Sequence, residues 1–282
     1  MTPAESIFEI ANDAKANFDD VYNLPDPRRY YRTLGALDYR IPTEAAPVFK
    51  RVLEAIDIDR PKIVDVGCSY GVNAAMIRYD LDFAELVARY RKASMATESV
   101  AEAIFRDAAF FADKEPAVDA TFAGVDIAHE ALGYARSVGL IDRGVAENLE
   151  AAPLSAEGAA AVSGVDLVIT TGAVGYVTAE TFTKIINAAD GRPPCVAAFA
   201  LRQFPFGDIA AELEAFGLTT EKLEGRYFPQ RRFIDAEEQS GAIAAAEALG
   251  LDTEGLESEG AYYAEFYLAA PADGPRLKHL GI

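Results

Sequence analysis

Histidine and cysteine are nearly missing from this 282-residue chain, two of each, and cations are scarce, with 26 Lys plus Arg against 45 Asp plus Glu. Cys68 and Cys195 cannot build a disulfide framework. Each falls at or within an expected buried strand and reads as an unpaired, small apolar side chain. A formal net charge of −19 argues against nucleic acid as partner, because a phosphate backbone is bound through clustered cations. With His129 and His279 alone, no group of His, Cys and carboxylate stands at metal-ligand spacing, so no metal is expected. Signal peptide, membrane-spanning run and lipidation motif are likewise not visible, which leads us to expect a cytoplasmic protein with no membrane partner. What the chain does have is 51% hydrophobic content, enough for one large core with an appended subdomain.

The most informative stretch is IVDVGCSYGVN, residues 63–73. Ile63 to Val66 read as a buried strand with Asp65 near its polar carboxyl edge. Gly67 and Gly71 then bracket a tight turn with no Cβ to block unusual backbone angles or a ligand's approach. From Val72 to Ile77 an apolar helical face follows, whose N-terminus would offer free N–H groups. Three readings compete: a nucleotide-type site, a hydrolase elbow (Gly67-Cys68-Ser69-Tyr70-Gly71 satisfies GxSxG), and a glycine turn without ligand. The elbow fits poorly, since fewer than seventy residues precede Ser69 and histidines are so few. A second strand, TFAGVDI at 121–127, ends in Asp126, where an acid can grip both hydroxyls of a ribose. The alternative is an acid that merely caps the helix beginning at Ala128.

Further strands are expected at 144–147, 165–170, 194–201, 217–227 and 261–269, with helices near 128–138, 178–189, 206–215 and 235–249. This alternation argues for a mostly parallel α/β sheet with helices on both faces. Asp65 and Asp126 lie 61 positions apart, where a minimal unit places the acid about 20 residues on. The intervening insert, about 79–118, has helical periodicity. It is expected to pack with a helical N-terminal segment, residues 1–60, as a cap over a core spanning 61–282.

Asp65 with Gly67 and Gly71, then Asp126, then VDLVITTGAVGY at 165–176, resemble the class I S-adenosylmethionine-dependent methyltransferases over roughly residues 61–270. The resemblance implies a Rossmann-like, seven-stranded sheet whose last strand runs antiparallel. It implies S-adenosylmethionine as cofactor, with Asp65, Gly67, Ser69, Gly71 and Asn73 around the methionine part, Asp126 on the ribose and Ile127 beside it. Glu147, Asn148 and Leu149 would lie by the adenine, and Thr171 and Gly172 would face the reacting centre. Two positions depart from the family pattern: Ser69 replaces a middle glycine, and Val145 replaces an acid before the adenine-contacting pair.

An activated methyl group requires alignment and exclusion of water more than a base, and the shortage of histidine points to a small-molecule acceptor that is already nucleophilic, an amine or a carboxylate. Tyr176, Tyr31 and Arg232 are the candidate catalytic residues, Tyr176 through its ring. The clusters Arg28, Arg29, Arg32 and Arg231, Arg232 suit carboxylate recognition. The expected product is S-adenosylhomocysteine. Two alternatives stay open: closure of the cofactor's own amino group on its Cγ to azetidine-2-carboxylate, releasing methylthioadenosine, and cofactor binding without catalysis. The oligomeric state is not legible in the sequence.

Overall fold

Five short apolar runs lie side by side and all point the same way. In the computed structural model, which describes residues 19–92, 95 and 97–282, these are β1 (Lys62–Val66), β2 (Thr121–Val125), β3 (Arg143–Val145), β4 (Leu167–Thr171) and β5 (Cys195–Leu201). Their order is β3-β2-β1-β4-β5, every pairing parallel. The chain spreads one way from β1 to β2 and β3, and the other way to β4 and β5. A switch point therefore opens between the carboxyl ends of β1 and β4, the usual place for a ligand crevice in such sheets. Every residue of β5 is buried, as are Ile63 to Val66 of β1, which is the mark of strands covered on both faces.

The far edge departs from the expected seven strands. The long strand β8 (Ala261–Pro271) runs antiparallel to β5. On its other side two strands lie end to end: β6 (Leu218–Lys222) pairs with Tyr267–Pro271, and β7 (Phe228–Arg232) with Ala261–Ala264. The strand expected over 217–227 ends early, at Lys222; Gly225 then turns the chain at φ +72°, and β7, which was not expected, resumes along the same edge. The sheet thus has eight strands and is Rossmann-like in its parallel half.

Helices α1 (Asp19–Tyr22), α2 (Arg28–Ala36) and α3 (Ile41–Ile56) precede β1. Although α3 lies before residue 61, it packs on β4, β5 and β7, with Phe49 edge-on to Phe199 at 5.4 Å. Helix α4 (Val72–Tyr79) follows the glycine turn, and α5 (Phe83–Tyr90) and α6 (Val100–Ala112) form the insert. The insert touches the N-terminal helices: Tyr31 of α2 stacks on Tyr90 of α5 at 4.6 Å, and a Cβ on Gly35 would press on Val87. Asp107 of α6 is fully buried and gathers the Tyr90 and Tyr134 hydroxyls at 3.0 Å each, with Arg89 and Arg106 neutralising it. Residues 1–18 of the expected N-terminal segment lie outside the described residues. Among the described residues no helix is long and apolar enough to cross a membrane, and no group of three or more His, Cys, Asp or Glu is placed to hold a metal ion.

Candidate active site

The sheet ladder runs on into the turns at its carboxyl edge. Gly67 N–H donates to Val125 O at 2.8 Å, Asp126 N–H to Val145 O at 3.1 Å, and Gly172 N–H to Phe199 O at 3.0 Å. These bonds fix three loops beside one another. Gly67 has φ +72°, and a Cβ there would meet that of Ala173 at 2.6 Å. Ser69, where a glycine is common, holds φ +48°, a left-handed angle that costs an L-residue of order 1–3 kcal/mol unless its surroundings enforce it. Asp126 supplies the enforcement: its Oδ2 accepts the Ser69 N–H at 2.8 Å and its Oδ1 accepts the Ala128 N–H at 2.9 Å. The acid therefore braces the turn and the start of the next helix together, and each oxygen retains capacity for one more donor.

Asp65 sits below the turn rather than in the cavity wall. It is fully buried, its Oδ1 accepts from Asn73 Nδ2 at 2.9 Å, and its Oδ2 has no hydrogen-bond partner among the described residues. Burial pushes its carboxyl up to about 7, with the Asn73 bond opposing and the Asp126 charge adding to the rise. Asn73 also donates to Thr171 Oγ1 at 3.1 Å, tying β1's helix to the tip of β4. The Ser69 hydroxyl is buried and likewise unpartnered among the described residues. Cys68 lies under the turn in space left by Gly124, where a Cβ would collide with its sulfur; burial pushes its thiol well above the usual range.

Above these groups lies a cavity of about 730 Å³, within the size range of small-molecule sites. Gly67, Ser69, Asn73, Asp126, Ile127, Glu147, Asn148, Leu149, Thr171, Gly172 and Tyr176 all line it. Gly71, φ +74°, shapes the turn without reaching the wall. Ile127 is 70% exposed, an apolar surface presented to the cavity. The side chain of Glu147 is engaged elsewhere, because both its oxygens accept from Ser155, at 2.9 Å from the backbone and 2.6 Å from the hydroxyl.

Two expected catalytic residues stand away from the cavity. Tyr31 is 2% exposed and stacked in the cap core; its neighbour Tyr30 takes the cavity-lining position, since the helix turns adjacent residues by about 100°. Arg232 is exposed, and its backbone N–H bonds Leu37 O at 2.7 Å. Arg231 faces the cavity instead, paired with Glu238 at 2.6 and 2.9 Å. In the first arginine cluster, Arg28 is bonded to Asp26 and to the carbonyls of Met95 and Glu98, and Arg32 reaches the Tyr90 carbonyl. Tyr22, Tyr39, Glu150 and Gln230 are among the lining residues that were not foreseen. Burial pushes Tyr22, Tyr30 and Tyr39 well above the usual phenol range, so they present neutral rings and hydroxyls. Glu150 is held below the usual carboxylate range despite burial by hydrogen bonds from Thr178 and Thr181.

No family model and no curated protein matches the chain. Solved structures do resemble it. A TehB-like SAM-dependent methyltransferase from Corynebacterium glutamicum is 15% identical, covering 79% of this chain and 86% of that one at TM-score 0.39. Magnesium protoporphyrin IX methyltransferase from Synechocystis, solved with bound SAM, is 12% identical over 95% and 97% at 0.41. The plantazolicin methyltransferase BamL, solved with a triazolic desmethylPZN analog and SAH, is 11% identical over 94% and 98% at 0.45. Overlaps this loose leave the reading of the cavity to its own residues.

Proposed function

We propose that the protein binds S-adenosylmethionine and transfers its methyl group to a small-molecule acceptor, an amine or a carboxylate. The observation that carries this reading is Asp126, which follows β2 beside the switch point, holds the Gly67–Gly71 turn through Ser69, and keeps both oxygens able to accept from a vicinal diol. The residues fit the cofactor at its other parts. The Ser69 hydroxyl, buried beside the cavity without a partner among the described residues, stands where a polar methionine end would come, and exposed Ile127 with Leu149 offers apolar cover for a flat base. Since Glu147 is spent on Ser155, base recognition falls to Asn148 and the backbone beside it.

When bound, a sulfonium supplies a methyl group already activated toward a nucleophile. The chain's part is then to align, surround and dry the reacting atoms. Tyr22, Tyr30, Tyr39 and Tyr176 supply a rim of rings suited to a cation, which exclude water without offering a charge. Asn73, anchored to Asp65 and Thr171, fixes the floor between the two strand tips. Among the described lining residues there is no histidine or lysine, and the three carboxylates are engaged by hydrogen bonds, which favours an acceptor that arrives nucleophilic.

Incubation with S-adenosylmethionine, with and without an acceptor panel, followed by mass spectrometry, tests the reading. Acceptor-dependent S-adenosylhomocysteine is the expected product. Methylthioadenosine formed without acceptor would replace methyl transfer by ring closure on the cofactor, and binding without turnover would leave a cofactor-binding protein.

A further inference from the structure

Helix α7 (His129–Ser137), which follows Asp126, begins without a cap of its own, because its N-cap position is Ala128, whose side chain has no acceptor. The acceptor comes from another part of the chain. Asn23 Oδ1 takes the Glu130 N–H at 2.8 Å, across 107 positions of sequence, and so satisfies a free amide of the first turn. Asn23 also lines the cavity, as do Asp126 and Ala128.

The segment that carries Asn23 is tied a second time, to the glycine turn. Tyr70 stands between Ser69 and Gly71, but its side chain is fully buried against the rings of Tyr30 at 5.2 Å and Tyr134 at 5.8 Å. Its hydroxyl oxygen accepts the Leu24 N–H at 2.9 Å, and its single proton can reach Val21 O at 3.1 Å or Leu24 O at 3.0 Å. Downstream, Asp26 pairs with Arg28 at 2.7 Å, and Arg28 donates to the Met95 and Glu98 carbonyls of the insert. Residues 21–26 thus form a strap, pinned to the insert at one end and bonded to the turn and to α7 along its length. Because α1 ends at Tyr22 and Pro25 and Pro27 precede α2 at Arg28, no helix runs through the strap, and its course depends on these ties.

The two loops that the strap joins are the two that Asp126 braces through Ser69 and Ala128. A ligand gripped by Asp126 therefore occupies a cavity whose wall includes Tyr22 and Asn23 of the strap. We propose that the strap retains the bound cofactor, and that Tyr70 and Asn23 are positioning residues that hold it across the turn and α7. The inference rests on the cofactor reading and gives the segment ahead of α2 a part in it. Loss of either tie frees the strap while Asp126 and the turn keep their groups. The ligand then leaves faster, with a smaller effect on its arrival.

Surface plasmon resonance with S-adenosylhomocysteine over the immobilised full chain, and amide exchange over residues 21–26 with and without that ligand, test the proposal. In the unaltered protein the ligand should slow exchange in the strap. Tyr70→Phe keeps the ring and loses the hydroxyl; it should raise the dissociation rate about fivefold or more and abolish the protection of the strap. Asn23→Ala should act in the same direction, whereas Asn23→Asp keeps an acceptor for the Glu130 N–H and should stay within about twofold of the unaltered rate. Melting curves separate this from a merely structural role, which would lower the melting temperature and leave the dissociation rate alone. If Tyr70→Phe does not fold, the two Asn23 variants decide. An unchanged dissociation rate in Tyr70→Phe and Asn23→Ala, a strap that the ligand does not protect, or Asn23→Asp as fast as Asn23→Ala would overturn the assignment while leaving the cofactor reading intact. Failure of the unaltered protein to bind S-adenosylhomocysteine would remove the cofactor reading, and this one with it.

Discussion

The wall of the cavity formed by β1, β2 and β4 places its groups through backbone geometry, whereas the opposite wall, formed by β7 and the cap, places them through side chains from segments far apart in the chain. On the first wall, Gly67, Ser69 and Gly172 hold left-handed angles, and one carboxylate braces two backbone amides. On the second, Tyr22, Tyr30 and Tyr39 meet Gln230 and Arg231 because the backbone near Tyr39 docks on β7: Arg40 N–H donates to Gln230 O at 2.7 Å, and Arg232 N–H to Leu37 O at 2.7 Å. The exposed edge of β7 is thus covered by the cap, which both blunts an edge strand and fixes the cap's position. A cradle for the shared part of a ligand needs little sequence; a pocket for the variable part is assembled by packing.

Each wall can be broken separately. Glu238→Ala strands the buried guanidinium of Arg231 and should cost about 3–5 kcal/mol of stability, read from urea unfolding. Asp126→Ala removes the brace and the diol acceptor together; affinity for S-adenosylhomocysteine should fall at least ~100-fold, equivalent to about 2.7 kcal/mol. Unchanged affinity by calorimetry would sink the cofactor assignment.

Asp65 gives the first wall a pH signature. Its carboxyl keeps its proton to about 7 in the folded protein, against 3.8 for an ordinary aspartate, so the folded state binds more protons between those values. Stability should therefore fall as pH rises from about 4 to about 7 and level off above that, by on the order of 2 kcal/mol once relaxation of the buried site is allowed for. Asp65→Asn should lack this contribution; equal slopes of urea midpoint against pH in the two proteins would refute it. The smallest effects are expected from Tyr31→Phe and Arg232→Ala, which stand outside the cavity. Both should leave ligand affinity unchanged and shift stability by no more than about 1 kcal/mol.

The first wall was legible because its requirements are local. A strand, a turn needing left-handed angles and a helix follow one another within eleven residues, 63–73, and the acid closing the next strand is recognisable by its position alone. Even Ser69, the departure from glycine, proved a bearer of the same backbone angle. Choosing between Tyr30 and Tyr31, or Arg231 and Arg232, was another matter: each pair differs by a single residue, and the correct member depends on helix phase or on a bulge between the Pro229 and Arg232 pairings of β7. Strand β7 was equally hidden: the expected strand 217–227 contains only β6, and the extended run after it pairs with the same partner, β8.

By itself the sequence determined the parallel βα alternation, the glycine turn and the two acids at its strand ends, because strand period, left-handed angles and helix starts are properties of neighbouring residues. Only the tertiary structure decided that Arg231 pairs with Glu238, that the Gln230 amide lies against Gly172, and that three tyrosines of the N-terminal segment line the cavity. Those outcomes depend on which residues meet across nearly two hundred positions of chain, and on one extra residue in a strand, whose effect exists only once the partner strand is in place.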